Sequence, residues 1–283
     1  MGNAILLISS PDKKGIIARM SSFIYDNNGN IEHADQHIDS ETNTFFMRIE
    51  WSLDGFNLVR EDILPSLQPL IDEFNMQCSL HFSFMIPRVA IFVSKELHCL
   101  YDLLLKHQSG QLKCEIPLII SNHAEARQIA DFFNIKFMEF PITADNKELQ
   151  EKEEINIIKE EKIDLIVLAR YMQILNDSFV REFPNRIINI HHSFLPAFAG
   201  KNPYRKAYEK GVKVIGATSH YVTEDLDKGP IIEQDTVRIS HRDSLNDLVR
   251  KGEDIEKIVL GRAVRWHLER KILVYNNKTV IFD

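Results

Sequence analysis

Three residues of complementary chemistry stand where two strands of the chain are expected to end. Asn189 and His191 lie two residues apart at the end of an apolar run, 186–190, that predicts a buried strand. Because residues two apart in a strand point to the same side, both should face one pocket. Asp227 lies in an Asp-Lys-Gly-Pro turn after a Val- and Ile-rich run and can present its carboxylate to that pocket. An amide, an imidazole and a carboxylate together can polarise a carbonyl group and move protons.

The elements that must position these residues alternate between strands and helices. The sequence predicts strands at 89–93, 116–121, 136–140, 164–169 and 186–190, with helices at 99–106, 124–133, 149–161 and 177–183. Two β-rich runs (212–222 and 231–239), a long amphipathic helix (245–268) and a hairpin (272–275 with 279–282) follow. This α/β alternation is typical of a doubly wound, mostly parallel sheet.

Residues 1–86 have a different pattern. Strands are expected at 4–8, 31–38, 45–51 and 76–84, with a helix at 16–26 and a helical region at 56–74 that Pro65 and Pro69 should break or kink. This order, βαββαβ, is the ferredoxin-like split motif. The sequence therefore predicts two domains, 1–86 and 87–283, which meet at Pro87.

The composition is that of an ordinary soluble globular protein. The 283 residues are 44% hydrophobic and 27% charged, with a formal net charge of −7 and no basic stripe for nucleic acid. Without a ~20-residue apolar run or a secretory signal, no membrane association is expected. The three widely spaced cysteines fit free thiols in a reducing cytoplasm. The charge runs 148–154 and 159–162 on one predicted helix indicate a solvated face.

The sequence offers no metal or nucleotide motif. His33 and His37 are four residues apart in a strand, about 13 Å, and cannot share one ion. His-Glu-x-x-His, Cys-x-x-Cys, Gly-x-Gly-x-x-Gly and the P-loop are all missing. We therefore expect neither a metal nor a bound cofactor.

The motif segments carry a family resemblance over nearly the whole chain. The segments Asn-Ile-His-His-Ser-Phe-Leu-Pro (189–196) and Val-Thr-Glu-Asp-Leu-Asp-Lys-Gly-Pro (222–230) resemble those of folate-dependent formyltransferases. The continuation Ala197-Phe198 and the run Ile-Gly-Ala-Thr (215–218) are similar to the formyltetrahydrofolate deformylases in particular. Residues 1–86 resemble an ACT domain through Pro11-Asp12, Gly15 and Gly29-Asn30-Ile31.

The resemblance implies a reaction. Asn189 and His191 would stabilise the oxyanion formed at a formyl carbon, and Asp227 would orient the imidazole and handle protons. With water as nucleophile, 10-formyltetrahydrofolate would give tetrahydrofolate and formate, which purine synthesis uses. The folate would contact Gln173, Ile174, Leu175 and Val222. His192 should face the other side of the strand.

Two alternatives remain open: a formyltransferase with an amine acceptor, and an amino-acid-sensing protein whose hydrolytic site is vestigial. Residues 94–99 lack the glycine-rich loop that holds the phosphate of a ribonucleotide acceptor, and Glu96 opposes an anion there. The ACT-like domain implies an amino-acid effector near Asp12, Gly15 and Asn30 and pairing into a dimer or tetramer. A third alternative is that this domain pairs chains and senses nothing.

Overall fold

A computed structural model describes residues 2–143, 145–196 and 203–283 and divides the chain into two compact units. The first unit contains Met1–Ile86 together with Glu269–Tyr275 and Val280–Asp283. The second contains Pro87–Leu268 with Asn276–Thr279. The motif residues Ala197 and Phe198 lie outside the described residues.

The first unit begins with the predicted βαββαβ order, which is confirmed. Its elements are β1 (Asn3–Pro11), α1 (Ile16–Asp26), β2 (Asn30–Asp39), β3 (Thr44–Ser52), α2 (Arg60–Phe74) and β4 (Gln77–Phe82). The sheet order is β2-β3-β1-β4, and every neighbouring pair is antiparallel. Apolar residues of β1 and β3 pack with those of the two helices into one core that includes Ile24, Trp51 and Phe74.

The expected break in the second helix is wrong, because α2 runs unbroken through Pro65 and Pro69. Both prolines lie on the exposed side of the helix. The buried residues Ile63, Leu67, Leu70 and Phe74 recur at helical spacing on the opposite side. Burial of this apolar stripe compensates for the backbone hydrogen bonds that the prolines cannot donate.

The second unit is the predicted α/β sandwich. Its elements are β5 (Arg88–Val93), α3 (His98–Gln108), β6 (Glu115–Ser121), α4 (Arg127–Phe132), β7 (Lys136–Glu139), α5 (Lys147–Glu160), β8 (Leu165–Leu168), α6 (Asp177–Glu182), β9 (Ile187–His191), α7 (Pro203–Lys210), β10 (Val214–Tyr221), β11 (Ile231–Arg238) and α8 (Leu245–Leu268). Helix α7 was not predicted, because its segment is mostly polar. Within the described ranges no helix is long and apolar enough to cross a membrane.

Seven described strands of this unit form one sheet in the order β11-β10-β9-β8-β5-β6-β7. Strands β5 to β9 are mutually parallel, whereas β10 pairs antiparallel with both β9 and β11. The carboxyl ends of β8 and β9 therefore lie side by side. Loops that follow parallel strands are the usual place for ligands in such sheets.

The chain ends in a hairpin of β12 (Ile272–Tyr275) and β13 (Lys278–Ile281). Val280 and Phe282 pack with Leu7 and Phe46 in a cluster of the first unit. Leu7 and Phe46 alternate with the core residues of β1 and β3 and so point to the opposite face of the sheet. Val280 and Phe282 cover that face of the sheet. The last residues of the chain therefore belong to the first unit, although they follow the second unit in the sequence.

Candidate active site

A cavity of about 590 Å³ opens at the carboxyl ends of β8 and β9. It is lined by every residue that the sequence suggested for catalysis and folate contact, namely Asn189, His191, Asp227, Gln173, Ile174, Leu175 and Val222. Gln173, Ile174 and Leu175 come from the loop after β8, whereas Asn189 and His191 come from β9. Val222 and Asp227 come from the segment after β10. The fold thus brings the two motif segments to one place.

His191 and Asp227 form the central pair of this cavity. The Nδ1 atom of His191 lies 3.3 Å from Oδ1 of Asp227, and only 18% of the aspartate side chain is exposed. The hydrogen bond from His191 holds the pKa of Asp227 below its usual value against the opposing effect of burial. The carboxylate is therefore ionised and accepts the proton of Nδ1. The other ring nitrogen of His191, Nε2, is buried without a hydrogen-bond partner among the described residues.

Steric constraints fix the turn that carries Asp227. Asp227 has φ = 57°, in the left-handed region that Asp tolerates better than most residues. A Cβ atom on Gly229 would lie 1.8 Å from the carbonyl oxygen of Tyr221, so only glycine fits. The amide of Tyr221 donates to the carbonyl of Pro230 at 2.9 Å and closes the turn on the end of β10.

His220 is a site residue to which sequence reasoning gave no role. It lies opposite Asn189 in the β9–β10 register, and its Nε2 is 3.2 Å from Asn189 Nδ2. Its Nδ1 lies 2.9 Å from the carbonyl oxygen of Tyr221, which can only accept, so Nδ1 carries the proton. Burial lowers the pKa of His220, so the ring is neutral and Nε2 carries no proton. Nε2 therefore accepts a hydrogen bond from the Asn189 amide. The antiparallel pairing that creates this contact was not visible in the sequence.

The loop after β8 is tied to the neighbouring strand ends through Ser94. The Ser94 hydroxyl donates to Asn122 Oδ1 at 2.6 Å and accepts from the Met172 amide at 2.9 Å. The Ser94 amide donates to the carbonyl of Arg170 at 3.2 Å. Ser94 therefore positions one wall of the cavity and has no free backbone amide for a phosphate.

Two buried carboxyl groups lie behind the same wall, contrary to the solvated face expected for 148–154. Glu151 and Glu154 are 3% and 0% exposed. Glu151 accepts from the Asn176 amide at 3.1 Å, and the Tyr171 hydroxyl lies 3.5 Å from Glu154 Oε1. Burial, with a contribution from Glu151, raises the pKa of Glu154 to about 8. The buried side of α5 therefore carries two acidic side chains in addition to apolar ones, and both contact the loop after β8.

His192 does not turn away from the pocket as expected. Strand β9 ends at His191, so strict alternation no longer applies, and the two rings lie 5.2 Å apart. Burial, followed by the charge of Arg170, lowers the pKa of His192 to about 4. His192 and Arg170 line both the first cavity and a second one of about 430 Å³.

Side chains that could hold a metal ion lie at or beside the second cavity. Among the described residues two groups lie close enough to share one, His98 with Cys99 and Glu256, and Glu96 with His98 and Glu253. Glu256 Oε2 already accepts from His98 Nε2 at 2.8 Å, and the charge of Arg170 lies 3.5 Å from it. Burial raises the pKa of the Cys99 thiol well above its usual value, which disfavours the thiolate that a metal needs. His98 and Glu256 are therefore already engaged with each other.

Cys78 and Cys114 also behave as packing residues. Burial raises the pKa of Cys78 to about 11 and that of Cys114 to about 12. Neither thiol is activated as a nucleophile at neutral pH.

The three effector candidates of the first unit do not come together within one chain. Asp12 follows the end of β1 that pairs with Thr44, and Gly15 precedes α1. Asn30 pairs with Ser52 at the other end of β3. The eight residue-to-residue steps from Thr44 to Ser52 separate these positions by roughly 26 Å. One small molecule cannot contact all three residues of a single chain.

Comparison with known proteins agrees with the fold. The family model for formyl transferases matches residues 87–264, and that for ACT domains matches residues 4–72. The structure of a glycinamide ribonucleotide transformylase from Symbiobacterium toebii superposes on 72% of this chain and 98% of its own, with a TM-score of 0.66 and 29% identity. The chain thus joins an ACT domain to a formyl transferase domain.

More specific similarity extends over the whole chain. A formyltetrahydrofolate deformylase from Synechocystis is 56% identical over 279 residues, covering 99% of this chain and 98% of that protein. One from Bacillus subtilis is 48% identical over 98% of this chain and 93% of its own length. The crystal structure of a Pseudomonas syringae formyltetrahydrofolate deformylase matches with a TM-score of 0.97, 44% identity and coverage of 100% and 95%. The chain belongs to the formyltetrahydrofolate deformylase family.

Proposed function

We propose that this protein hydrolyses 10-formyltetrahydrofolate to tetrahydrofolate and formate, and so supplies formate for purine synthesis while balancing one-carbon folate pools. The observation that carries this proposal is the single cavity that holds Asn189, His191 and Asp227, with Asp227 bonded to His191 Nδ1. The names of its full-length relatives support the choice of substrate. The mostly apolar loop 171–175 provides a surface for the pterin ring.

Asn189 and His191 act on the formyl oxygen in this mechanism. Asp227 fixes the proton of His191 on Nδ1, which leaves the unpartnered Nε2 as the position that donates to the oxyanion once the ring is protonated. Asn189 gives one amide proton to His220 and has the other available for the same oxyanion. Donors aimed at developing charge lower the barrier more than they strengthen substrate binding.

Water is the nucleophile. Its oxygen bonds to the formyl carbon, one of its protons passes to Asp227, and the carbon–nitrogen bond to N10 of the folate then breaks. N10 receives a proton by way of the His191–Asp227 pair, and the formic acid formed ionises to formate. Orientation of water by a carboxylate and protonation of the leaving nitrogen are ordinary general acid–base steps.

The lining of the second cavity argues against a phosphate-bearing amine acceptor. Three carboxylates, Glu96, Glu253 and Glu256, line it together with two arginines, Arg170 and Arg205. The backbone amide of Ser94, at the position of a phosphate-binding loop, is already bonded to Arg170. A ribonucleotide phosphate would therefore meet carboxylates where it needs free amides.

Turnover of 10-formyltetrahydrofolate, followed by absorbance and by formate assay, tests the proposal. Asn189→Ala, His191→Ala and Asp227→Asn should each lower kcat by roughly 10²–10³-fold with much smaller effects on folate binding. His241→Ala, an exposed histidine, is the matched control and should leave turnover unchanged. Near-normal kcat in His191→Ala would remove the proposed electrophile.

The alternatives are tested in the same assay. Formate should remain the product in the presence of excess glycinamide ribonucleotide. A formylated ribonucleotide that appears at the rate of folate turnover, detected by mass spectrometry, would establish a transferase. No turnover by folded protein would favour a sensing protein with a vestigial site.

We further propose that the first unit pairs chains and responds to an amino-acid effector, while the second unit catalyses in the cytoplasm. The ACT match supports this role, and an effector site at Asp12 and Gly15 would need Asn30 from another chain. The isolated second unit should end at Leu268, because Val280 and Phe282 pack with the first unit's own strands. If that fragment kept the oligomeric state and the effector response of the full chain, the first unit would not be the element that pairs chains and binds an effector.

A further inference from the structure

We propose that Arg170 forms a carboxylate subsite where the two cavities meet, and that this subsite receives formate as it leaves the reacting carbon. The inference rests on the proposed hydrolysis for the identity of the anion. Arg170 and His192 line both cavities, so an anion released beside His191 can pass between them.

Arg170 is the single Lys or Arg residue among those described as lining the first cavity. Formate is released close to Asp227, whose charge repels it. The neighbouring His192 is neutral at working pH, because burial lowers its pKa to about 4. The guanidinium is therefore the Lys or Arg charge of the described lining that can stabilise the product anion.

The guanidinium of Arg170 has hydrogen-bond donors to spare. Its side chain is only 12% exposed, and its Nε and Nη1 atoms are buried without a hydrogen-bond partner among the described residues. Leaving such donors unsatisfied costs free energy, and a carboxylate that bonds to the Nη1–Nη2 edge of the guanidinium gives Nη1 an acceptor. A planar anion the size of formate matches this need.

Glu256 does not use up these donors. Its Oε1 accepts from the Tyr204 hydroxyl and its Oε2 from His98 Nε2, while Nε of Arg170 is 3.5 Å from Oε2. Burial works against the charge of Glu256, but the bond from His98, the charge of Arg170 and the bond from Tyr204 together lower its pKa. Glu256 is thus satisfied by other residues and holds Arg170 by charge alone.

The backbone of Arg170 is held in a sparsely populated conformation. Its φ of 63° lies in the left-handed region, which is unfavourable for a long side chain. The Ser94 amide, which bonds to the Arg170 carbonyl, helps to maintain it. Such strain is commonly found where a side chain must be placed for ligand binding.

Binding of ¹³C-formate to the full chain, measured by NMR titration without folate at constant ionic strength, tests the subsite. Arg170→Gln should weaken formate binding at least tenfold, and Arg170→Lys should weaken it several-fold because the fork is lost while the charge stays. Glu256→Gln should bind formate at least as tightly as the unchanged protein, since the competing carboxylate is gone. Arg205→Gln is the matched control, because Arg205 lines the second cavity but its side chain is 63% exposed.

Unchanged formate affinity in folded Arg170→Gln would overturn the subsite. If that variant does not fold, unchanged affinity in Arg170→Lys has the same meaning. Assays of formate release from 10-formyltetrahydrofolate on the same samples distinguish failure of the formate subsite from failure of the proposed hydrolysis. Normal hydrolysis with no formate binding would sink the subsite alone, whereas formate binding without hydrolysis would sink the proposed function and leave an anion site.

Discussion

The Nε2 atom of His220 lies 3.2 Å from the Nδ2 atom of Asn189, across the antiparallel pair β9–β10. Because His220 Nδ1 donates to the carbonyl of Tyr221, Nε2 can only accept from the Asn189 amide while the ring is neutral. The orientation of the amide is therefore set by the protonation state of a buried histidine. We propose that His220 acts on the reaction through Asn189 and is a positioning residue.

Replacing His220 should impair turnover more than binding. In His220→Ala the Asn189 amide loses its acceptor and can rotate, so we expect kcat to fall by roughly 10- to 100-fold with little change in KM. Steady-state kinetics measure both constants. His241→Ala provides a histidine control far from buried contacts. If His220→Ala lowered the melting temperature and raised KM along with the loss of kcat, the role of His220 would be purely structural.

Asp227 should contribute pH-dependent stability. Its pKa is lowered in the folded protein, chiefly by the bond from His191, so the unfolded chain takes up the proton first as pH falls. The stabilisation is fully present above the ordinary pKa near 3.8 and is lost as pH falls through the lower folded value. Urea denaturation gives the free energy of unfolding of the unchanged protein and of Asp227→Asn. The difference between the two values should be constant from pH 5 to 7 and should shrink towards zero below about pH 4. Convergence already at pH 6 would contradict the ion pair.

Glu154 should have the opposite effect. Burial raises its pKa to about 8, so the folded protein keeps a proton that the unfolded chain releases near pH 4.5. Stability therefore declines as pH rises between these values, by at most about 1.4 kcal/mol per pH unit from this group. Glu154→Gln should remove that slope and be relatively more stable at pH 8 than at pH 5.5. Thermal unfolding at both values measures this, with the exposed neighbour Glu153→Gln as the control.

Gly229 should not tolerate any side chain. Its Cβ would overlap the Tyr221 carbonyl oxygen at 1.8 Å, so Gly229→Ala must move the turn that carries Asp227. A displacement of about 1 Å at a catalytic group can cost about 100-fold in rate. Gly211→Ala is the comparison, since a Cβ atom on Gly211 would meet no atom within 4 Å and only its φ of 65° opposes a side chain. Its effect should be limited to about 1 kcal/mol of stability. Similar kcat in both variants would show that the turn adapts.

Much of the chemistry was readable in the sequence because it is local. Alternating and helical periodicities indicated nearly all strands and helices, and Asn189 and His191 share a side of β9 because residues two apart in a strand must. The Asp-Lys-Gly-Pro turn and the resemblance of the motif segments led to Asp227 and to the folate loop 173–175. These inferences needed only spacing, side-chain chemistry and family pattern.

Other features were decided by contacts between distant parts of the chain. The antiparallel register of β9 and β10 places His220 on Asn189, and the end of β9 frees His192 from strand alternation. Burial, which no local pattern specifies, turned an acidic helix surface into the buried pair Glu151 and Glu154. Which residues become neighbours depends on sheet order and packing. For that reason the sequence named the candidate catalytic residues, and the tertiary structure decided which residues contact them and bury them.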